Sequence, residues 1–224
     1  MLRSNRRTFL ASLATIAVGA RASELFAGQL AGRPAPDWIT RLERPERVAS
    51  LRIPEIVARL QPKPGQVVAD IGAGPGVFEP ALAKAVSPGG TVYAVEIDQA
   101  FLTHIDRRMQ EQQVTGVVTV LGAFTDPKLP AKDVDLALFH DVLHHVEDRA
   151  GYVKALAAYL KPGGRIAVIE LDPVKGSHRD EPSLQVTKEQ ARAWMAAAGL
   201  EPVEDIPLFD DKWFVIYRKS GGTR

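Results

Sequence analysis

Two rhythms of apolar and polar positions divide the chain from residue 51 onward. Short apolar runs at 66–71, 91–96, 117–121, 134–139 and 165–171 read as strands buried on both faces. Between them, apolar residues recur every three or four positions, the spacing of a helix with one buried stripe. Ile53, Ile56, Val57 and Leu60 share such a face, with Pro54 near the start and Pro62 and Pro64 closing the element. Residues 78–86 form a second helix, and Asp98 caps a third that aligns Leu102, Ile105 and Met109. Val153, Leu156, Ala157 and Leu160 mark a fourth. Thr187 and Gln190 make a capping box ahead of Ala191, Trp194, Met195 and Ala198, and Gly199 stops that fifth helix. Pro-Gly-Gly turns at 88–90 and 162–164 lead into two of the strands. Two final strands, about 201–206 and 213–218, are joined by a short acidic loop and spaced as an antiparallel pair. Residues 28–50, polar and rich in Pro, Gly and Arg, read as a linker wrapping onto the domain. There is no internal repeat and no low-complexity tract after residue 50.

Strands alternating with helices predict an α/β domain whose parallel sheet is covered on both faces. Ligands in such sheets bind beyond the carboxyl ends of the strands, at the switch point of the strand order.

Composition narrows the chemistry. The 224 residues, 24.4 kDa, are 46% hydrophobic and 25% charged, as in one globular domain with appendages. Cysteine is absent, which excludes disulfides, thiolate metal sites and cysteine nucleophiles. The net charge of +1 is unevenly spread: residues 1–22 hold four arginines and no acid, leaving 24 basic against 27 acidic residues, a net charge of −3. That balance offers no electrostatic footprint for nucleic acid.

The N-terminus reads as an address. A basic start is followed by an uncharged run over 8–20, and Ala20-Arg21-Ala22 fits a small-x-small cleavage site. As a helix this run would span about 20 Å, short of the roughly 30 Å hydrocarbon core. Arg6-Arg7-Thr8-Phe9-Leu10 resembles the twin-arginine export signal, which a receptor for folded cargo reads. The expectation is a signal over 1–22, a linker over 23–50, a domain over 51–219 and a tail over 220–224. The mature protein is then periplasmic or secreted; without a working signal it stays cytoplasmic. No later segment has the length of a membrane span.

The most informative stretch is Val67-Val68-Ala69-Asp70-Ile71-Gly72-Ala73-Gly74-Pro75-Gly76-Val77. A buried strand runs into a glycine loop that opens a helix, where backbone can approach a ligand closely. Glu96 ends the next strand, and a carboxylate there can accept both hydroxyls of a ribose. The dinucleotide pattern G-x-G-x-x-G fails at Val77, and Pro75 removes an amide that a pyrophosphate would use.

At this point the sequence resembles the class I S-adenosylmethionine-dependent methyltransferases over residues 51–219. VVADIGAGPG is similar to the family's first motif, VYAVEID to its ribose-binding strand end, DVDLALFHDVLHHV to its fourth strand and turn, and LKPGGRIAVIELDP to its fifth strand. The wording of the last two looks most like the quinone-biosynthesis-type branch. The resemblance implies a Rossmann-like three-layer sandwich with a mostly parallel seven-stranded sheet and an antiparallel last strand. It implies S-adenosylmethionine as cofactor and a small-molecule substrate. Asp70, Gly72, Ala73, Gly74 and Gly76 would then shape the loop around the methionine part. Glu96 would hold the ribose, and Ile97 would pack on the adenine. His140 would face the methionine or substrate side. Many relatives carry an Asp after the third strand for the adenine amino group. Here that position is Ala123, which leaves adenine to backbone atoms and to stacking on Phe124.

Methyl transfer from a sulfonium needs alignment and, for a hydroxyl or carbon acceptor, a base. His140 and His144, in His140-Asp141-Val142-Leu143-His144-His145, are the candidates, with Asp141 as orienting group. Their i, i+4 spacing also occurs in helical zinc pairs, but no third ligand is evident and no metal is expected. Glu170 and Asp172 line the substrate side or merely solvate a strand end. His104 reads as a surface helix residue, and Trp38 either covers the cofactor or pins the N-terminal segment. Two other functions fit less of the sequence: an exported binding protein of the same fold without turnover, and a nicotinamide oxidoreductase, disfavoured by Val77. The absence of cysteine excludes the arsenite-methylating branch.

Overall fold

The computed structural model describes residues 35–221; the export signal expected over 1–22 lies outside them. Seven strands form one sheet: β1 Val67–Ile71, β2 Thr91–Glu96, β3 Val117–Leu121, β4 Val134–His140, β5 Leu160–Leu171, β6 Leu200–Asp205 and β7 Lys212–Lys219. Their order is β3-β2-β1-β4-β5-β7-β6. β1 to β5 are mutually parallel, and β7 inserts antiparallel between β5 and β6. The anticipated sheet and its antiparallel last strand are therefore present. β5 begins earlier than expected, because its Pro-Gly-Gly lead-in already lies within the strand.

Seven helices accompany the sheet among the described residues: α1 Ala35–Leu42, α2 Pro45–Ser50, α3 Ile53–Leu60, α4 Glu79–Val86, α5 Gln99–Glu111, α6 Arg149–Ala157 and α7 Lys188–Ala197. The side-chain alternation of the strands sorts them into two outer layers. Leu136 and Leu138 of β4 pack with Ile56 and Leu60 of α3 and Leu82 and Val86 of α4. Ala137 and Phe139, on the other face, pack with Tyr152, Val153 and Leu156 of α6 and Met195 of α7. The caps read from sequence are formed: Asp98 accepts from the Ala100 N–H at 2.8 Å, and Thr187 and Gln190 bond reciprocally. Among the described residues no helix is long and apolar enough to cross a membrane.

The segment read as a linker is corrected over 35–50, where α1 and α2 are helical. α1 carries an apolar stripe, Ala35, Trp38, Ile39 and Leu42 at i, i+3, i+4 and i+7, that the linker reading overlooked, while neither helix holds a fully buried residue.

Candidate active site

Strand register builds the site. Ile71 pairs with Val95 on one side and Phe139 on the other, and His140 pairs with Ile169. The next row at the carboxyl edge is therefore Glu96, Gly72, His140, and one step further come Ala73, Asp141 and Glu170. This edge lies where the strand order reverses between β1 and β4, the switch point of an open α/β sheet.

The glycine loop is anchored below and covered above by Leu42 alone. The Gly72 and Ala73 N–H groups both donate to the Val95 carbonyl, at 2.9 and 3.0 Å. Gly72 has φ +71°, and a Cβ there would lie 2.6 Å from Val142, so the turn after β4 closes directly on the loop. Gly74, φ +57°, differs: its added Cβ would meet only Leu42 of α1, at 3.7 Å. Leu42 is held over the loop because neighbouring Glu43 accepts from His104 Nε2 at 2.8 Å and pairs with Arg108, both on α5. His104 is thus a partner of the N-terminal helices rather than a surface residue. Trp38 lies under the Arg41 guanidinium, 5.4 Å from the ring centroid.

Glu96 accepts from the Gly74 N–H at 2.8 Å through one oxygen and from the Ile97 N–H at 3.0 Å through the other. Burial pushes its carboxyl up; those two N–H donors work against the shift. Ile97 and Phe124 stand exposed just past β2 and β3. The Ala123 N–H is used by the Asp126 carbonyl at 2.8 Å, and the Asp126 carboxylate accepts from Tyr159 Oη at 3.0 Å.

Beneath the loop sits a feature the sequence reading missed. Asp70 and Glu79 are both buried, and burial pushes Asp70 up to about 7 and Glu79 well above its ordinary value. Two buried carboxyls whose charges repel cannot both ionise cheaply, which favours a retained proton on the pair. A raised carboxyl binds a proton in the folded chain that the unfolded chain has already released. The pair's contribution to stability is therefore full below the ordinary carboxylate value and is lost as pH rises through about 7. Glu79→Gln removes one ionisation and is expected to flatten that decline in melting temperature across the acid-to-neutral range. An unchanged pH slope in the variant would assign the decline to other groups.

The histidines divide between two partners. His140 is buried, its ring 5.2 Å from that of Phe78, with Nδ1 3.4 Å from Asp141. Burial pushes its imidazole down to about 4, aided by Lys212 and Arg47 and opposed by Asp141. Asp141 is itself ion-paired with Lys212 of β7. The expected orientation of His144 by Asp141 is corrected. His144 Nδ1 lies 2.6 Å from Glu170 Oε1, and its backbone N–H donates to Glu170 Oε2 at 3.0 Å. Glu170 is a buried partner, 1% exposed, not a solvated strand end. Among the described residues no cluster of three or more His, Asp or Glu side chains is arranged to hold a metal ion.

The fold is an α/β sandwich with the architecture of the class I methyltransferases. Residues 69–168 match the family model described as "Methyltransferase domain". The chain is 32% identical over 126 residues to a protein-L-isoaspartate O-methyltransferase of Aeropyrum pernix, covering 53% of this chain and 45% of that protein. It is 28% identical over 120 residues to a ubiquinone/menaquinone biosynthesis C-methyltransferase of Cupriavidus metallidurans, covering 53% and 48%. The chain thus spans under half the length of these two relatives. A solved SAM-dependent methyltransferase from Aquifex aeolicus superposes with a TM-score of 0.75 at 19% identity, over 83% of this chain and 99% of that one.

Proposed function

We propose that the chain transfers a methyl group from S-adenosylmethionine to a small-molecule acceptor by in-line displacement. The row Glu96–Gly72–His140 at the switch point, with only Leu42 near Gly74, carries this reading. The residues present fit the cofactor. Each Glu96 oxygen holds one N–H and keeps a second lone pair, one for each ribose hydroxyl. Ile97 and Phe124 offer two apolar faces for the adenine. Its amino group is left to backbone carbonyls, since Asp126 is engaged with Tyr159. Gly74 leaves room for the methionine part. His140, neutral at physiological pH, has a buried Nε2 with no partner among the described residues, which a ligand atom can meet. When bound, the sulfonium supplies the electrophilic methyl carbon and a thioether leaving group. The chain orders both reactants and keeps water out.

The DVLHHV and PGGRIAVIE wording and the Cupriavidus relative favour an acceptor of the quinone-precursor type. Calorimetry tests the cofactor: S-adenosylhomocysteine is expected to bind in the micromolar range, about −8 kcal/mol, and NAD not at all. NAD binding without S-adenosylhomocysteine binding would replace this reading with the oxidoreductase one.

We further propose export of the folded protein through a twin-arginine receptor, on Arg6-Arg7 ahead of the short apolar run. Changing both arginines to lysine is expected to leave uncleaved precursor in the cytoplasm; normal export of that variant would refute the route.

A further inference from the structure

We infer that Arg47 and Lys212 form an anion-binding pair over β5, and that the methyl acceptor carries a carboxylate held there. This rests on the methyl-transfer reading above.

Elements distant in sequence bring the pair together. Lys212 opens β7, and its ammonium is ion-paired with Asp141 in the turn after β4. The Asp141 N–H donates to the Ile169 carbonyl at 2.9 Å, which seats that turn over β5, the strand between β4 and β7. Arg47 comes from α2, where its Nη1 donates to the Leu42 carbonyl at 3.0 Å and closes the end of α1. Arg52, between α2 and α3, donates to the Leu208 carbonyl and so ties these helices to the loop that leads into Lys212. Burial pushes the Arg47 guanidinium down, opposed by Asp141 and aided by Arg41, so Arg47 and Asp141 lie within reach of each other's charge.

The charges do not cancel. Arg47 and Lys212 are two cations against the single carboxylate of Asp141. Burial pushes that carboxyl up, but His140 and Lys212 outweigh it and hold Asp141 below its ordinary value, so it is ionised. His140 is neutral at physiological pH. Asp210 and Asp211, next to Lys212 in sequence, are exposed, and solvent screens them. The cluster is therefore left with positive charge in excess. It also reaches solvent: 12% of the Lys212 side chain and 18% of the Asp141 side chain are exposed, and Arg47 is half-buried. Two of its buried atoms, Asp141 Oδ1 and His140 Nε2, have no partner among the described residues, which a ligand group would supply.

Charge and shape select a carboxylate. Two cations facing one acid match a single added negative charge, and the planar fork of Arg47 suits a carboxylate. Phe209, half-buried, has its ring centroid 5.7 Å from Lys212 Nζ and offers an apolar face beside the anion. Position gives the carboxylate to the acceptor rather than to the cofactor. Lys212 stands three strands from β1, about 14 Å at the ordinary strand spacing. The cofactor would run from Glu96 on β2 across Gly74 toward His140 on β4, and the acceptor would lie past it, over β5. A ring carboxylic acid satisfies this and the quinone-precursor reading together.

The test reads binding without turnover. Calorimetry with the full chain carrying S-adenosylhomocysteine compares 2-naphthoate with its neutral isostere 2-naphthamide. Wild type is expected to prefer the carboxylate by about tenfold or more. Arg47→Gln and Lys212→Gln are each expected to cut that preference severalfold. Asp141→Asn is expected to strengthen 2-naphthoate binding severalfold, because it removes the carboxylate that competes for the same cations. Asparagine tolerates the left-handed backbone at that position, φ +55°. A purely structural ion pair would instead weaken binding in all three variants. Probe that fails to bind, no preference in wild type, an unchanged preference in Arg47→Gln and Lys212→Gln, or weaker binding by Asp141→Asn overturns the inference while cofactor binding stands. So does loss, in Arg47→Gln, of the preference for S-adenosylhomocysteine over its decarboxylated analogue, which would give the pair to the cofactor's own carboxylate. Should Arg47→Gln fail to fold, Lys212→Gln and Asp141→Asn decide the matter. Failure of wild type to bind S-adenosylhomocysteine overturns the methyltransferase reading instead.

Discussion

Gly74→Val is expected to abolish S-adenosylhomocysteine binding while leaving a folded domain. The backbone there is left-handed, φ +57°, and an added Cβ meets nothing nearer than Leu42 at 3.7 Å. The branched side chain therefore fills the gap between the loop and Leu42, where the ligand would lie, without meeting backbone. A left-handed conformation costs an ordinary residue about 1–2 kcal/mol, a few degrees of melting temperature for a domain of this size. Cofactor affinity should fall by more than about 100-fold, beyond detection for a micromolar ligand. Gly72→Ala is the opposite control. Its Cβ would lie 2.6 Å from Val142, so the turn after β4 must shift and the loss appears in stability as well. Calorimetry and thermal melting of both variants separate the effects. Equal affinity in wild type and Gly74→Val would remove the glycine loop from the binding site.

Glu96→Ala is the second large effect. A hydrogen bond to a charged group is typically worth about 1.5–3 kcal/mol. Cofactor binding should then weaken roughly 10- to 150-fold, at about 1.4 kcal/mol per tenfold. Part of this loss is indirect, because the Gly74 N–H loses its acceptor. A 2′-deoxyribose analogue isolates the direct part: wild type should prefer the ribose form, and Glu96→Ala should lose most of that preference. Equal discrimination by both proteins would mean that another residue holds the ribose. The carboxyl must be ionised to accept both hydroxyls, and burial raises its pKa. Affinity in wild type is therefore expected to decline on acidification sooner than for an exposed glutamate.

The sequence was most informative where chemistry is local. The β1 apolar run, the glycines after it and Glu96 at the end of β2 needed only spacing, and the β1–β2 register sets Gly72 beside Glu96. Glu79 was legible and was overlooked. It precedes Leu82, Ala83 and Val86 at i, i+3, i+4 and i+7, so it occupies a core position of its helix. The pairing of His144 with Glu170, 26 residues away, depends on the β4–β5 register that sets His140 against Ile169. Lys212, 71 residues from Asp141, depends in addition on β7 running antiparallel beside β5. No spacing in the sequence encodes either contact. The helices over 35–50 escaped for another reason: the stripe Ala35, Trp38, Ile39, Leu42 was legible, but the stretch is short, polar on balance and interrupted by prolines that suggest a break.

That cover bears on timing. Leu42 lies over Gly74, and Glu43 fastens it to His104 and Arg108 on α5. A spent cofactor seated on the loop cannot leave along that side until the Glu43 contacts part. Its residence time is then governed by the opening rate of a half-buried ion pair rather than by the strength of its own contacts. Glu43→Ala should accordingly quicken both arrival and departure, with a smaller change in equilibrium affinity. Salt should act in the same direction, quickening the release of S-adenosylhomocysteine from the loop.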